Sequence, residues 1–178
     1  KKGKFMDKKF DMQKFEKKIN YKISKNQNII EYSPKTFDYL KMISEIISKN
    51  KGGMLIIDYG YFYLKMKNTL QAVSKHKFSN LLEKIGSSDI TSLVNFDLIK
   101  KYLEIKRLKV SNIVTQEFFL KKMGIVNRAE SVAKKMNFRE KSDLYFRLQR
   151  LLNPKQMGEL FKFLFAGKLK KKFRLVFN

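Results

Sequence analysis

Cysteine and tryptophan are missing from the sequence, histidine occurs once, and only two prolines interrupt its 178 residues. Without cysteine there are no disulfides, no thiolate zinc sites and no cysteine nucleophile, which suits a reducing compartment. A lone His76 with no H-E-x-x-H excludes the usual three-ligand catalytic zinc. The eight glycines, at positions 3, 52, 53, 60, 86, 124, 158 and 167, never form G-x-G. A Walker loop and a dinucleotide fingerprint are therefore absent from these residues, and without G-x-S-x-G so is a serine-hydrolase elbow. Long apolar runs are lacking too. Met54-Leu55-Ile56-Ile57 is typical of the longest, so the chain reads as soluble, and no apolar segment follows the basic N-terminus to make a signal peptide.

What is present is a core. Hydrophobic residues make up 43% and aromatics 13%, too many for a disordered tail and enough for one domain or most of one. The formal charge is +24. A nucleic-acid binder concentrates such charge on one face and favours arginine; here lysine dominates and is spread along the whole chain. The composition fits a genome biased towards A and T first, an acidic protein partner second and nucleic acid third. Because it starts at Lys1 without an initiator methionine, the sequence reads as an excised piece or partial product of a single, incomplete domain spanning 1–178.

Residues 1–31 alternate charged and aromatic positions, which predicts a β-hairpin with one half-buried face. Phe5, Phe10 and Phe15 on such a strand face would also suit base stacking, the basis of an RNA-binding alternative. Ser33-Pro34 opens a helix, with Ser33 as cap and Pro34 in the first turn. Phe37, Leu40, Ile43 and Ile47 recur at helical spacing, and Gly52-Gly53 closes the helix. Met54–Ile57 then reads as a strand buried on both faces, ending in Asp58-Tyr59-Gly60. Beyond it the pattern predicts strands over 69–73, 89–94 and 110–114, and helices over 78–83, 96–106, 116–123, 128–136 and 141–152. Edge or antiparallel strands are predicted over 160–165 and 173–177.

In open α/β sheets ligands bind beyond the carboxyl ends of the strands. That makes Asp58, with Gly60 turning the chain after it, a candidate site residue, although a short acid after a strand also caps turns. His76 lies between Lys75 and Lys77, the usual setting of a surface histidine.

The motifs gain meaning in order. Glu31-Tyr32-Ser33-Pro34 is followed by Gly53-Met54-Leu55-Ile56-Ile57-Asp58-Tyr59-Gly60, then Thr69-Leu70-Gln71-Ala72 with His76-Lys77. Gly86, Asp89-Ile90-Thr91 and Val94-Asn95-Phe96 come next, then Thr115-Gln116, Phe119-Leu120 and Met123-Gly124-Ile125. Leu151, Asn153-Pro154, Met157-Gly158 and Phe161-Lys162 close the set. This order resembles the MidA family, bacterial proteins and mitochondrial relatives that act in assembly of respiratory complex I. The resemblance covers roughly residues 31–165.

The resemblance implies an α/β fold: the C-terminal part of a class I, Rossmann-like methyltransferase, with a mostly parallel sheet, one antiparallel strand and flanking helices. It implies S-adenosyl-L-methionine as cofactor, with the binding loop upstream of these residues. The implied substrate is an arginine-containing protein, such as a complex I subunit, and the implied compartment is a bacterial cytoplasm or the mitochondrial matrix. Acidic side chains would hold the guanidinium by its fork. Asp58, Tyr59, Gly60, His76 and Gln116 are the substrate-side candidates. Asn68 and Asn95 stand where the family commonly has acids, and are not carried over as catalytic. A sheet lacking its first strands also predicts an apolar free edge, reduced stability and pairing with a second copy. The competing class is a non-catalytic basic protein-binding module.

Overall fold

The computed structural model describes residues 4–6, 9–25, 27–62, 65–75, 77–83, 86–168 and 176–177. The first element is a helix, α1 (Met12–Ile19), where the alternation predicted a hairpin. Asp11 accepts the Lys14 N–H at 2.9 Å and starts it. Phe15 and Ile19, one turn apart, are buried. The Phe15 ring lies 4.2 Å from Tyr32 and 5.5 Å from Phe37. Phe15 is committed to that cluster and not free to stack on a base, and no described residue of 4–25 lies in a strand, while Phe5 and Phe10 remain exposed.

Helix α2 (Pro34–Asn50) forms as predicted, with Phe37, Leu40, Ser44 and Ile47 on its buried side. Ser33 is extended but makes no side-chain cap bond; Pro34 opens the helix without it. Lys51 and Gly52, both at positive φ, end it. The chain enters β1 (Gly52–Tyr61) directly.

Four further strands complete the main sheet with β1: β5 (Val94–Asn95), β6 (Lys109–Val110), β7 (Val114–Thr115) and β8 (Phe161–Lys168). β1 pairs with β5 in parallel at Gly60–Val94 and Tyr61–Asn95. It pairs with β8 antiparallel along its length, from Gly52–Lys168 to Tyr59–Phe161. β6 and β7 both pair antiparallel with β8. β1, β5, β6 and β7 thus share one direction and β8 alone opposes them. The result is the expected α/β sheet of mostly parallel direction with one antiparallel strand. β8 lies between β1 and β6, so of the two alternatives for 160–165 it is the antiparallel strand that forms and not the edge.

A second sheet holds β3 (Lys77–Ser79), β2 (Gln71–Ser74) and β4 (Asp89–Thr91), in that order and all antiparallel. The helix predicted over 78–83 is instead β3 and a turn. Phe78 stands opposite Val73 in the ladder, and that pairing overrides local spacing. The remaining helices are α3 (Phe96–Ile105), α4 (Gln116–Lys122), α5 (Ile125–Ala133) and α6 (Phe138–Leu152). A capping box between Asn137 and Glu140 opens α6. The strand predicted over 173–177 falls mostly outside the described residues.

The core sits between one face of the sheet and helices α1, α2 and α3. Phe96, Leu103, Leu164 and Ala166 are completely buried there, with Met54 and Ile56 packed against them. Burying a large apolar side chain of this kind contributes about 1.5–3 kcal/mol. The Phe37 and Tyr102 rings meet edge to face at 5.0 Å, and the Tyr102 hydroxyl donates to the Phe37 carbonyl at 3.3 Å.

The opposite face is covered unevenly. The Phe119 ring of α4 stacks on Phe163 of β8 at 4.2 Å. On β1, by contrast, Leu55, Ile57 and Tyr59 remain 45%, 47% and 43% exposed. The strand predicted to be buried on both faces is buried on one. Its outer edge is also free: apart from the two rungs with β5, no described strand pairs there.

Candidate functional site

The carboxyl end of β1 delivers Asp58, Tyr59 and Gly60 to one rim of the sheet, together with β5, β7 and the start of β8. Asp58 is exposed, and one of its carboxylate oxygens accepts the Tyr59 N–H at 2.7 Å. Tyr59 lies on the opposite face, its ring 4.0 Å from Phe161. Gly60 is required by packing and not by its φ: a Cβ there would lie 2.4 Å from the Val94 carbonyl oxygen and 2.6 Å from the Phe96 ring. Its hydrogen is what allows β5 to pair so closely.

A groove of about 370 Å³ follows the free edge of β1 between α2 and α3. Leu40, Ile43 and Met54 make one end apolar, while Glu31 and Asp58 bring two carboxylates towards the strand's carboxyl end. Neither acid forms an ion pair among the described residues. That is unusual company in a chain with 40 lysines and arginines and only 16 acids. Glu31 is fixed by Thr69, whose N–H and hydroxyl both donate to its carboxylate. The Thr69 hydroxyl oxygen in turn accepts the Leu93 N–H at 2.8 Å. The motifs Glu31-Tyr32-Ser33-Pro34 and Thr69-Leu70-Gln71 are therefore two sides of one contact. Sequence order alone did not single out Glu31 as a site residue; its hydrogen-bond partner lies 38 positions away.

Tyr61 is buried behind the rim. Burial pushes its phenol above the usual tyrosine range, and the Glu31 charge adds to the rise; bonds to the Lys67 backbone and the Asn95 side chain oppose it. Asn95 is itself buried and caps α3 through a bond from the Leu98 N–H at 3.1 Å, a structural use of the position.

A second cleft, of about 500 Å³, opens on the other side of Gly60 and includes Phe62, Thr115, Pro154 and Lys162. Lys162 is only 7% exposed. Burial pushes its ammonium below the usual lysine value, opposed by the nearby charge of Glu159. The sequence marked Lys162 only as part of a motif, because burial of one lysine among many leaves no local signal.

Gln116 lies on α4 with its side chain turned into the protein. Its amide nitrogen donates to the carbonyls of Leu151 at 2.9 Å and Met157 at 3.3 Å, tying α4 to α6 and the turn at 154–158. The structure brings Asp58, Tyr59 and Gly60 together and places Gln116 apart from them. His76 lies outside the described residues.

Gly53, Gly60, Gly158 and Gly167 press on their own chain, and Gly52, Gly86 and Gly124 serve positive-φ positions. Among the described residues no group of acids or histidines could hold a metal ion, and no helix is long and apolar enough to cross a membrane.

Comparison with known proteins gives the family. Residues 2–114 match the family described as "Putative S-adenosyl-L-methionine-dependent methyltransferase". The chain is 30% identical over 124 residues to the mitochondrial protein arginine methyltransferase NDUFAF7 of Danio rerio, covering 70% of this chain and 29% of the relative. Against the Homo sapiens protein of the same name it is 30% identical over 135 residues, covering 75% and 30%. The Drosophila melanogaster homolog shows 30% identity over 139 residues, covering 78% and 32%. The chain thus spans less than a third of the length of each.

Two solved structures from Burkholderia thailandensis share the fold. One, an uncharacterized superfamily protein, superposes with a TM-score of 0.71 at 19% identity, covering 84% of this chain and 42% of its own. The other, bound to S-adenosyl-homocysteine, gives 0.61 at 22% identity, covering 74% and 35%. With a family match across more than half of its length and a sheet rim that the fold reserves for ligands, the chain belongs to the S-adenosyl-L-methionine-dependent methyltransferase family.

Proposed function

We propose that the chain is the substrate-facing portion of an S-adenosylmethionine-dependent protein-arginine methyltransferase, and that residues outside it supply the cofactor cradle. The observation that carries the reading is the pair Asp58 and Glu31: two carboxylates towards the carboxyl end of β1, neither in an ion pair among the described residues. A guanidinium presents a planar fork of N–H donors, and carboxylates are its natural acceptors. Asp58 has one oxygen held by the Tyr59 N–H, which fixes its direction. Glu31 is oriented by Thr69. Two acids fixed in place contribute by positioning the nucleophile, since the sulfonium methyl is already activated in the cofactor.

The sequence has no G-x-G loop of the kind that cradles a nucleotide-like cofactor. The shortfall in length against the relatives and the free edge and exposed face of β1 support an origin for that cradle beyond this chain. By the same resemblance we assign the methylated arginine to a protein, with a complex I subunit as the favoured target.

The test is methyl transfer from S-adenosylmethionine to arginine-containing protein by the full-length protein, with Asp58→Asn beside it. Losing a charged hydrogen-bond acceptor costs about 1.5–3 kcal/mol, so the variant's kcat/KM should fall about 10- to 100-fold. Methylation confined to other residue types, or an unchanged Asp58→Asn variant, contradicts the proposal.

A further inference from the structure

Lys162 is the second residue of β8 and lies between Asp58 on β1 and Thr115 on β7, its partners in the two ladders. Its position is peculiar for a lysine. It is 7% exposed, donates to the backbone carbonyl of Glu159 and holds its ammonium 5.7 Å from the centre of the Phe62 ring. No carboxylate of the described residues lies within ion-pair distance of it. An ammonium has three N–H donors, and one carbonyl accepts one of them. A cation removed from water with donors left over is costly unless an anion joins it. The cleft of about 500 Å³ between Gly60, Thr115 and Pro154 gives an anion a way in.

We propose that Lys162 is an anion anchor that receives a ligand carboxylate in this cleft. The charge around it selects the class. Among the described residues Lys162 is the one cation lining the cleft, and Glu159 lines it as well. A dianionic phosphate would meet one positive and one negative group, whereas a single carboxylate balances the ammonium. Thr115 adds a hydroxyl: its oxygen accepts the Phe118 N–H at 3.3 Å, which leaves its hydrogen able to donate to the ligand. Among the described residues the acids facing Lys162 are Asp58 across the rung and Glu159 before β8, and neither forms an ion pair with it. Two sources share this chemistry: an aspartate or glutamate flanking the methylated residue of a protein substrate, and the amino-acid carboxylate of an S-adenosyl compound. Only the naming of these sources rests on the methyltransferase reading; the anchor is tested without methyl transfer.

The experiment is an amide NMR titration of the full-length protein with acetyl-glutamate amide, acetyl-glutamine amide, inorganic phosphate and S-adenosyl-homocysteine, read at Gly60, Thr115 and Lys162. Acetyl-glutamate amide should shift these resonances saturably and bind at least about tenfold more tightly than its glutamine analogue, as a charge-assisted hydrogen bond exceeds a neutral one. Saturation by S-adenosyl-homocysteine at the same residues, with none by acetyl-glutamate amide, assigns the anchor to the cofactor's carboxylate. Lys162→Arg should keep carboxylate binding and Lys162→Met should lose it. Equal binding of the glutamate and glutamine analogues, preference for phosphate, or no shift with any carboxylate overturns the proposal. The wild-type comparison decides even where a variant fails to fold.

Discussion

Asp58 and Lys162 are cross-strand partners on β1 and β8, yet no ion pair joins them. Each bonds to nearby backbone instead: Asp58 accepts the Tyr59 N–H at 2.7 Å, and Lys162 donates to the Glu159 carbonyl. An opposite-charge rung of a sheet is usually a stabilising contact. Here the charges point to separate clefts, one on each side of Gly60.

The first consequence is a pH dependence of stability. Burial lowers the folded-state pKa of Lys162, whereas in the unfolded chain it returns to about 10.4. Between those values the unfolded state binds the extra proton, so unfolding becomes harder as pH rises. Lys162→Met removes this linkage. Chemical denaturation across the alkaline range should show the Met variant gaining most over wild type at the lower pH, with the gap narrowing upwards. A gap independent of pH would count against a depressed lysine.

Gln116 gives a stability prediction at a position that sequence reasoning connected to the substrate. Its amide serves two backbone carbonyls from a buried position. Gln116→Met keeps the volume and leaves both acceptors without their donor, at a cost of about 1–3 kcal/mol. Thermal unfolding should register that loss while S-adenosyl-homocysteine affinity of the full-length protein stays unchanged. A variant of normal stability with impaired methyl transfer would return Gln116 to the substrate side.

Gly60→Ala tests the close approach of β5 to β1. The added methyl would meet a backbone oxygen at 2.4 Å and the fully buried Phe96 at 2.6 Å. Neither neighbour yields easily, and overpacking of this kind costs about 1–3 kcal/mol. A lowered Tm and altered amide resonances at Val94 and Asn95 are expected; an unchanged Tm would mean that the rung tolerates separation.

The sequence was informative where local rules and tertiary packing agreed. Pro34 and the spacing of Phe37, Leu40 and Ile47 define α2, and the apolar run into Asp58-Tyr59-Gly60 defines β1. Thr115 and Asn95 cap α4 and α3 where the helices were expected to begin. It failed where a contact distant in sequence decides the outcome. Phe15 and Ile19 make α1 a helix because a buried face awaits them, whereas alternation alone suggested strands. Phe78 joins a strand because Val73 is opposite. At the sheet rim, the place of Asp58 was legible from the end of the apolar run. Glu31 and Lys162 were not, since the orientation of one depends on Thr69 and the burial of the other on the β1–β8 ladder.

The free edge of β1, with Leu55 and Ile57 about half exposed beside it, leads to the claim on which the account turns: this chain presents the substrate side and does not by itself hold the cofactor. Calorimetric titration of S-adenosyl-homocysteine into the chain alone, and into the full-length protein, measures it directly. The account predicts no saturable heat for the chain alone and one-site binding for the longer protein. Saturable one-site binding by residues 1–178 on their own would contradict it.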